Sequence, residues 1–314
     1  MTPQGTLGTR RVPIFARLSP TGGLMAAVAL VVAMVLAGCG SVSAAITPTA
    51  ATPTVTAASL PQVRVQATDY QYDMPATVPA GLVAITQTNS GAQPHQVIIS
   101  RLKAGVSDQQ MVDAFPGEEA KIDALSTFAG GPGIVAPGGA QAVVVSLQPG
   151  RYVAYCFLTA PDGMAHFAKG MYDFFSVAKT SASVMRGQLA AQGTLNLRDF
   201  AFAMPTNGVA AGQTTLKVVN QGSQPHELVI VKVAAGKTVQ DAITWVHTTP
   251  PAAPPSRPPP YTPAGGLEPI APGAASWVPL DLRLGQYVAL CYVRDPTTGK
   301  SHVDLGMIAP FMVH

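Results

Sequence analysis

The chain contains one long internal repeat. Thr68-Asp69-Tyr70-Gln71-Tyr72-Asp73-Met74-Pro75 returns as Arg198-Asp199-Phe200-Ala201-Phe202-Ala203-Met204-Pro205, and Gln93-Pro94-His95 as Gln224-Pro225-His226. Gly150-Arg151-Tyr152-Val153-Ala154-Tyr155-Cys156 returns as Gly285-Gln286-Tyr287-Val288-Ala289-Leu290-Cys291, and Gly170-Met171 as Gly306-Met307. The offset grows from 130 to 136 residues, so the second copy carries a small insertion. An ordered repeat of this length means a duplicated domain rather than a short-period solenoid. Whatever the first copy folds into, the second must fold into as well. The 314 residues suit two domains. The repeat predicts modules over 63–178 and 194–314, joined by a linker over 179–193 that shows little strand pattern.

Short β-rich runs recur in both copies, at 82–88 and 215–219, 97–102 and 228–233, 142–147 and 277–282, 152–158 and 287–293, and 173–177 and 310–313. Turn residues separate them. The runs at 152–158 and 287–293 are apolar on both alternating faces, as expected of an inner strand. The expected fold class is all-β, with a β-sandwich in each copy. Each copy also predicts one short helix. Ser107 and Gln110 form a capping box ahead of Met111, Val112 and Phe115. Thr238 and Asp241 occupy the same place in the second copy, with Val239, Ile243 and Val246 on one face. Residues 249–263 of the second copy include 8 Pro among 15, which predicts an exposed polyproline-like spacer.

The N-terminus reads as an address. Arg10, Arg11 and Arg17 are the only charged residues in the first 63. They precede an apolar run of 14 residues, 24–37, which suits a signal sequence and is short for a membrane span. The run ends in Leu36-Ala37-Gly38-Cys39, which resembles the bacterial lipobox. That resemblance implies a lipoprotein signal peptide over 1–38 and lipidation of Cys39. The protein would then sit in the bacterial cell envelope, lipid-anchored to the outer face of the cytoplasmic membrane. Residues 39–62 are rich in Thr, Ala and Pro and carry no charge, so they read as a tether. Beyond residue 38, 16 basic residues face 16 acidic ones without a Lys/Arg cluster, which argues against nucleic acid as a partner.

Two cysteines remain beyond Cys39, one per copy. An exported protein occupies an oxidising compartment, so they need a reason. A Cys156–Cys291 disulfide, a pair of buried inert thiols and metal thiolates are the three readings. Histidine placement favours the third. Four of the six His recur as pairs, His95 with His226 and His166 with His302. Each copy therefore offers an ordered set: His95, Cys156, His166 and Met171, then His226, Cys291, His302 and Met307. Two imidazoles and a thiolate in a trigonal plane, with a weak axial thioether, make the donor set of blue copper. A thioether is a poor zinc ligand. Cysteines in the middle of apolar strands argue against a Cys-His hydrolase. No His-x-His pair occurs, and Tyr155 and Leu290 precede the two Cys, so multicopper catalysis is not expected and the chain is not read as an enzyme.

At these residues the sequence resembles the cupredoxins, over nearly the whole of both modules. The matching pieces are a first His after an Asn/Gly turn (residues 89–95 and 220–226) and a final hairpin. That hairpin runs Gly-x-Tyr-x-x-x-Cys, then His, then four residues and Met before a last strand. The resemblance implies two tandem Greek-key β-sandwiches with the metal at one end of each. It implies type 1 copper, one per module, held by His95, Cys156, His166 and Met171 and by His226, Cys291, His302 and Met307. It further implies single-electron transfer between extracytoplasmic redox proteins. One departure stands out. Nine residues separate Cys156 from His166 and ten separate Cys291 from His302, more than in the family's small electron carriers. These loops hold turn residues, Pro161-Asp162-Gly163 and Pro296-Thr297-Thr298-Gly299, and read as loosely held. The alternative expectation is a copper-free cupredoxin-like pair that serves as a surface binding or structural module.

Overall fold

The computed structural model describes residues 54–115, 119–179, 188–249 and 258–314. The expected signal peptide, Cys39, most of the tether and residues 250–257 of the Pro-rich segment lie outside the described residues. The first copy supplies β1 (Thr54–Val55), β2 (Gln62–Thr68), β3 (Gln71–Asp73), β4 (Thr77–Pro79), β5 (Gly81–Asn89), β6 (Ile98–Leu102), β7 (Ser126–Gly130), β8 (Ala140–Leu147), β9 (Gly150–Tyr155) and β10 (Tyr172–Ala178). The linker and second copy supply β11 (Gln188–Leu189), β12 (Gly193–Arg198), β13 (Ala201–Ala203), β14 (Gly212–Asn220), β15 (His226–Val233), β16 (Tyr261–Ile270), β17 (Ala275–Leu282), β18 (Gly285–Leu290) and β19 (Ile308–Val313). The alternation that makes a strand is plain in β2, where Val63, Val65 and Ala67 point inward and Gln62, Arg64 and Gln66 face out.

Each copy is a two-sheet sandwich. In the first, one sheet runs β3-β2-β5-β8 and the other β7-β6-β9-β10-β4. The chain crosses from β5 to β6, returns from β7 to β8, and crosses again to β9, which is Greek-key connectivity. The second copy repeats it, with β13-β12-β14-β17 in one sheet and β16-β15-β18-β19 in the other. Between the sheets lie Val65, Val83, Ile85, Val97, Ile99, Val143 and Val145 in the first copy. Leu195, Leu197, Leu216, Val218, Leu228 and Val278 fill the second.

The sheets do not stop at the copy boundary. β17 pairs antiparallel with β8 at Trp277 and Val144, giving an eight-stranded sheet. β16 meets β7 at Ile270 and Ala129, giving a nine-stranded one. Pro132 bridges Leu267 antiparallel. These two residues occupy the same place in the repeat, each following Ala-Gly-Gly (129–131 and 264–266). Pairing of equivalent positions is the mark of a local two-fold axis. The Ala-Gly-Gly segments have a packing reason. A Cβ on Gly131 would lie 1.9 Å from the Val97 carbonyl oxygen, and one on Gly266 would lie 2.1 Å from that of Leu228. Both glycines also hold positive φ, at 131° and 152°.

Several sequence expectations need correcting. The first copy has two helices, α1 (Asp108–Ala114) and α2 (Glu119–Leu125), rather than one. Ile122 of α2 is fully buried with Met111, Phe115 and Tyr155, which makes the second helix part of the core. The second copy has the one expected, α3 (Val239–Thr248), and both predicted capping boxes form. The tether ends before residue 62, because β1 pairs with β11 and Leu60 is buried with Ala84, Val144 and Leu189. The Pro-rich spacer ends before 263, because Tyr261, Thr262 and Pro263 pair with Val233, Lys232 and Val231. β2, β3, β4, β12 and β13 were not expected, nor were β7 and β16, one being short and the other broken by Pro and paired Gly. The two cysteines are not mid-strand. Each stands one residue past the end of β9 or β18, at the rim of its sandwich.

Candidate metal centre

Each centre is assembled at the end of a sandwich from two pieces of chain. The first piece is the turn after β5. The Asn89 side-chain amide donates to the Gln93 carbonyl at 2.8 Å and the Val135 carbonyl at 2.9 Å, while its oxygen accepts from Gly91 N–H at 2.9 Å. His95 then bridges Val135 and turns its ring inward, completely buried. Asn220 repeats this with Gln224, Ile270 and Gly222 ahead of His226. A Cβ on Gly91 would come within 2.3 Å of Asp69 Oδ1, and one on Gly222 within 2.4 Å of Asp199 Oδ1, so glycine leaves room for the carboxylate described below.

The second piece is the hairpin from Cys to Met. His166 N–H donates to Leu158 O at 2.8 Å, Phe167 N–H to Cys156 O at 3.0 Å, and Met171 N–H to His166 O at 3.0 Å. In the second copy His302 N–H donates to Val293 O, Val303 N–H to Cys291 O and Met307 N–H to His302 O, each at 2.8 Å. The long loops are closed at the base by bridges, Thr159 to Ala165 and Arg294 to Ser301. Their extra residues form small hairpins and add nothing to the Cys-to-His separation. The expectation of loosely held loops is thereby corrected: the turn residues close a hairpin, and backbone hydrogen bonds pin both His.

The donor atoms converge. His95 Nδ1 lies 3.1 Å from His166 Nδ1, and Cys156 Sγ lies 3.4 Å from the same atom. The second copy gives 3.0 Å between His226 and His302 Nδ1 and 3.4 Å from Cys291 Sγ. Within each His/Cys/His group the ligand atoms lie within 4.8 Å of one another. Met171 is fully buried and packs with Cys156, Ala67 and Tyr72, and Met307 is fully buried in the same core cluster as Cys291. The structure therefore brings together the two His and the Cys of each predicted set and buries both Met. Cys156 and Cys291 form no disulfide in this structure.

Residues that sequence reasoning missed fix the proton on the far side of each ring. His95 Nε2 lies 2.7 Å from Asp69 Oδ1, and His226 Nε2 lies 2.9 Å from Asp199 Oδ1. A carboxylate only accepts, so Nε2 carries the hydrogen and Nδ1 presents a lone pair. Burial alone would raise the Asp69 pKa, but hydrogen bonds from Ala92 and Gln93 N–H and from His95 hold it below its ordinary value. Burial likewise opposes ionisation of Asp199, yet bonds from Ser223, His226 and Gln224 hold it at about 2. In the second copy the Gln224 amide donates to Asp295 at 2.9 Å, which turns its oxygen toward His302 Nε2 at 3.0 Å. His302 Nδ1 is thus also a lone pair.

Two lone pairs 3.0 Å apart beside a sulfur repel each other unless something electrophilic lies between them. That is the test of fit, and the donor set passes it for a soft-tolerant metal with nitrogen and sulfur ligands. Burial pushes the Cys156 thiol up to about 12, eased by hydrogen bonds from the Gln96 and Leu158 amides to the sulfur. Burial first, then the neighbouring imidazole, holds His166 and His302 down at about 4. Both are neutral near neutral pH, the form that ligates metal, while the thiol must give up its proton on binding.

A Greek-key sandwich with one His from a turn and a Cys–His–Met hairpin at the same end now stands twice in this chain. The fold is cupredoxin-like. No protein-family model matches the chain, and no curated protein matches it. Among solved structures, similarity is found to a dithionite-reduced auracyanin of the photosynthetic bacterium Roseiflexus castenholzii, at 24% identity over 37% of this chain and 96% of that one, with a TM-score of 0.26. Auracyanin A of Chloroflexus aurantiacus, a "blue" copper protein, is 15% identical over 37% of this chain and 98% of that one, with a TM-score of 0.27. A multicopper oxidase is 16% identical over 81% of this chain and 88% of that one, with a TM-score of 0.23. At these values the likeness carries no weight of its own, and the cupredoxin-like reading rests on topology and donor geometry. The His/Cys/His groups suit type 1 copper, one per cupredoxin-like copy.

Proposed function

We propose that the chain is a lipid-anchored electron carrier that holds one type 1 copper in each copy and passes single electrons between protein partners outside the cytoplasm. The ligands would be His95 Nδ1, His166 Nδ1, Cys156 Sγ and the Met171 thioether, and His226, His302, Cys291 and Met307 in the same roles. The supporting observation is the convergence of buried imidazole lone pairs and a thiol, arranged twice. Copper bound to such donors supplies a one-electron couple whose two states accept the same ligands. The chain's own part is to hold the donors in place beforehand. The backbone bonds of the hairpin fix Cys, His and Met, Asp69 and Asp199 set the tautomer of the first His, and burial keeps water from the centre. All the donors are buried, a composition suited to electron transfer rather than to binding a substrate at the metal. Anchoring through Cys39 is supported by the lipobox-like Leu36-Ala37-Gly38-Cys39, and it would keep the carrier at a membrane surface.

The test is to load the full chain, purified in detergent, with Cu(II), remove the excess, and record the visible spectrum with copper per chain. Two coppers and an intense blue thiolate-to-copper band are expected. C156S and C291S should each retain one copper and about half the band. A chain that retains no copper and shows no band would overturn the reading and favour the copper-free binding module.

A further inference from the structure

The two centres share their ligand residues but differ in what surrounds them. Tyr72 packs beside Cys156 and Met171 at the first, and its hydroxyl donates to the Gln96 carbonyl. The equivalent residue in the repeat is Phe202, which has no hydroxyl to offer. A thiolate is a stronger acceptor than a neutral carbonyl, so an ionised sulfur would compete with the Gln96 carbonyl for the Tyr72 proton. Density withdrawn from the thiolate weakens its donation to an oxidised metal and favours the reduced state.

The second difference lies behind the hairpin His. His302 Nε2–H is held by Gln224, which is itself oriented by Asp295. His166 Nε2 is buried with no hydrogen-bond partner. The cause is local. Gln93, the equivalent of Gln224, donates its amide to the Tyr70 hydroxyl at 2.5 Å, and the second copy has Phe200 in place of Tyr70. Ala160 stands where Asp295 stands, so no carboxylate turns the Gln93 oxygen toward His166. A ligating imidazole whose far N–H is held by an acceptor is more basic and favours the more positive, oxidised metal. Two independent contacts thus push the same way, toward reduced metal at the first centre and oxidised metal at the second.

The two centres also face common ground. Phe157 and Leu158, which follow Cys156, and Tyr292 and Val293, which follow Cys291, wall one cleft of about 560 Å³ together with Glu227 and Glu268. We infer that electron flow through this chain has a direction: the first centre holds the higher reduction potential, and an electron entering at the second centre passes to the first. One electron leaves the second centre and one enters the first, with no bond made or broken and no proton required. The inference rests on the copper reading above and adds to it which copy keeps the electron.

The experiment is redox potentiometry of the copper-loaded full chain, followed at the blue band. C291S reads the first centre alone and C156S the second. The first should lie higher by at least tenfold in the electron equilibrium, which is about 59 mV for one electron. Y72F should lower the first potential and leave the second unchanged, and Q224L should raise the second alone. A purely structural role for either residue would alter copper retention without moving a potential in the stated direction. Coincident or reversed potentials overturn the inference while leaving the copper reading intact, as do variants that keep their blue band with unshifted potentials. A chain without copper overturns both.

Discussion

Asp69 lies 26 residues from the histidine it governs, and Asp199 lies 27 from its own. Each fixes the hydrogen on Nε2 and so aims a lone pair at the centre. Asp69→Leu should therefore weaken copper retention by the first copy about 10–100-fold, the usual cost of losing such a support, as read by competition with a chelator. Asp69→Asn keeps an acceptor oxygen and should recover most of the loss. The same rings set an acid limit on the copper-free chain. His166 and His302 are held at about 4, below the ordinary unfolded value of about 6.5. As pH falls below about 6.5 the unfolded chain takes up protons that the folded chain refuses. These two residues should therefore reduce stability progressively between about 6.5 and 4, with no further change below. Urea midpoints at pH 7, 5 and 4 would show the decline, and a flat series would contradict it. The candidate ligands were legible in the sequence because they persist between copies in order. The Asp residues stood inside the same repeat, but nothing local distinguishes a carboxylate that will meet a histidine through a turn. Tyr72 and Phe202 were equally visible, and their difference acquires meaning only when the hydroxyl is seen beside the sulfur.

Ten strand positions followed from alternation and two helix starts from capping boxes, because both are decided within a few residues. What the sequence pattern could not show was how a long Cys-to-His loop folds. Length there reads as slack, yet Thr159 and Ala165 close the base and Ala160 N–H bonds Met164 O at 2.8 Å. The hairpin tip is thus separable from the centre. Replacing residues 160–164 with a two-residue Asn-Gly turn should leave copper per chain and the blue band unchanged, since Asn-Gly suits a tight hairpin. Loss of the band would mean that the tip itself holds His166. The cost in stability should be small, because the change removes one small buried side chain, Ala160, and the ion pair between Lys169 and the exposed Asp162. The second-copy hairpin is a poor place for the same change, because Asp295 lies at its base and orients Gln224. β7 and β16 escaped prediction for a related reason. Their Ala-Gly-Gly segments look like loop, and only the approach of a neighbouring backbone explains glycine there.

The repeat announced two modules, and nothing in either copy's alternation revealed that β8 would pair with β17 and β7 with β16. Edge pairing is chosen by what is left uncovered after each sandwich closes, a property of the assembled surface. The shared sheets should make the two copies unfold together, as a single calorimetric transition rather than two. A first-copy fragment, 54–179, would expose the edges of β7 and β8, and unpaired edges recruit partners. Because the native join matches equivalent positions, such a fragment should form a symmetric dimer in sedimentation experiments, and a strictly monomeric fragment would argue against the two-fold. The same join sets what this molecule is free to become. Two identical subunits associating across such an axis can only be altered in tandem, because one gene writes both. Once the halves are joined end to end, each inherits its own copy of every position. Tyr70 and Tyr72 on one side and Phe200 and Phe202 on the other are then independent settings on a shared scaffold. Symmetry of shape is kept by the backbone, and asymmetry of behaviour is left to a handful of hydroxyls and one carboxylate.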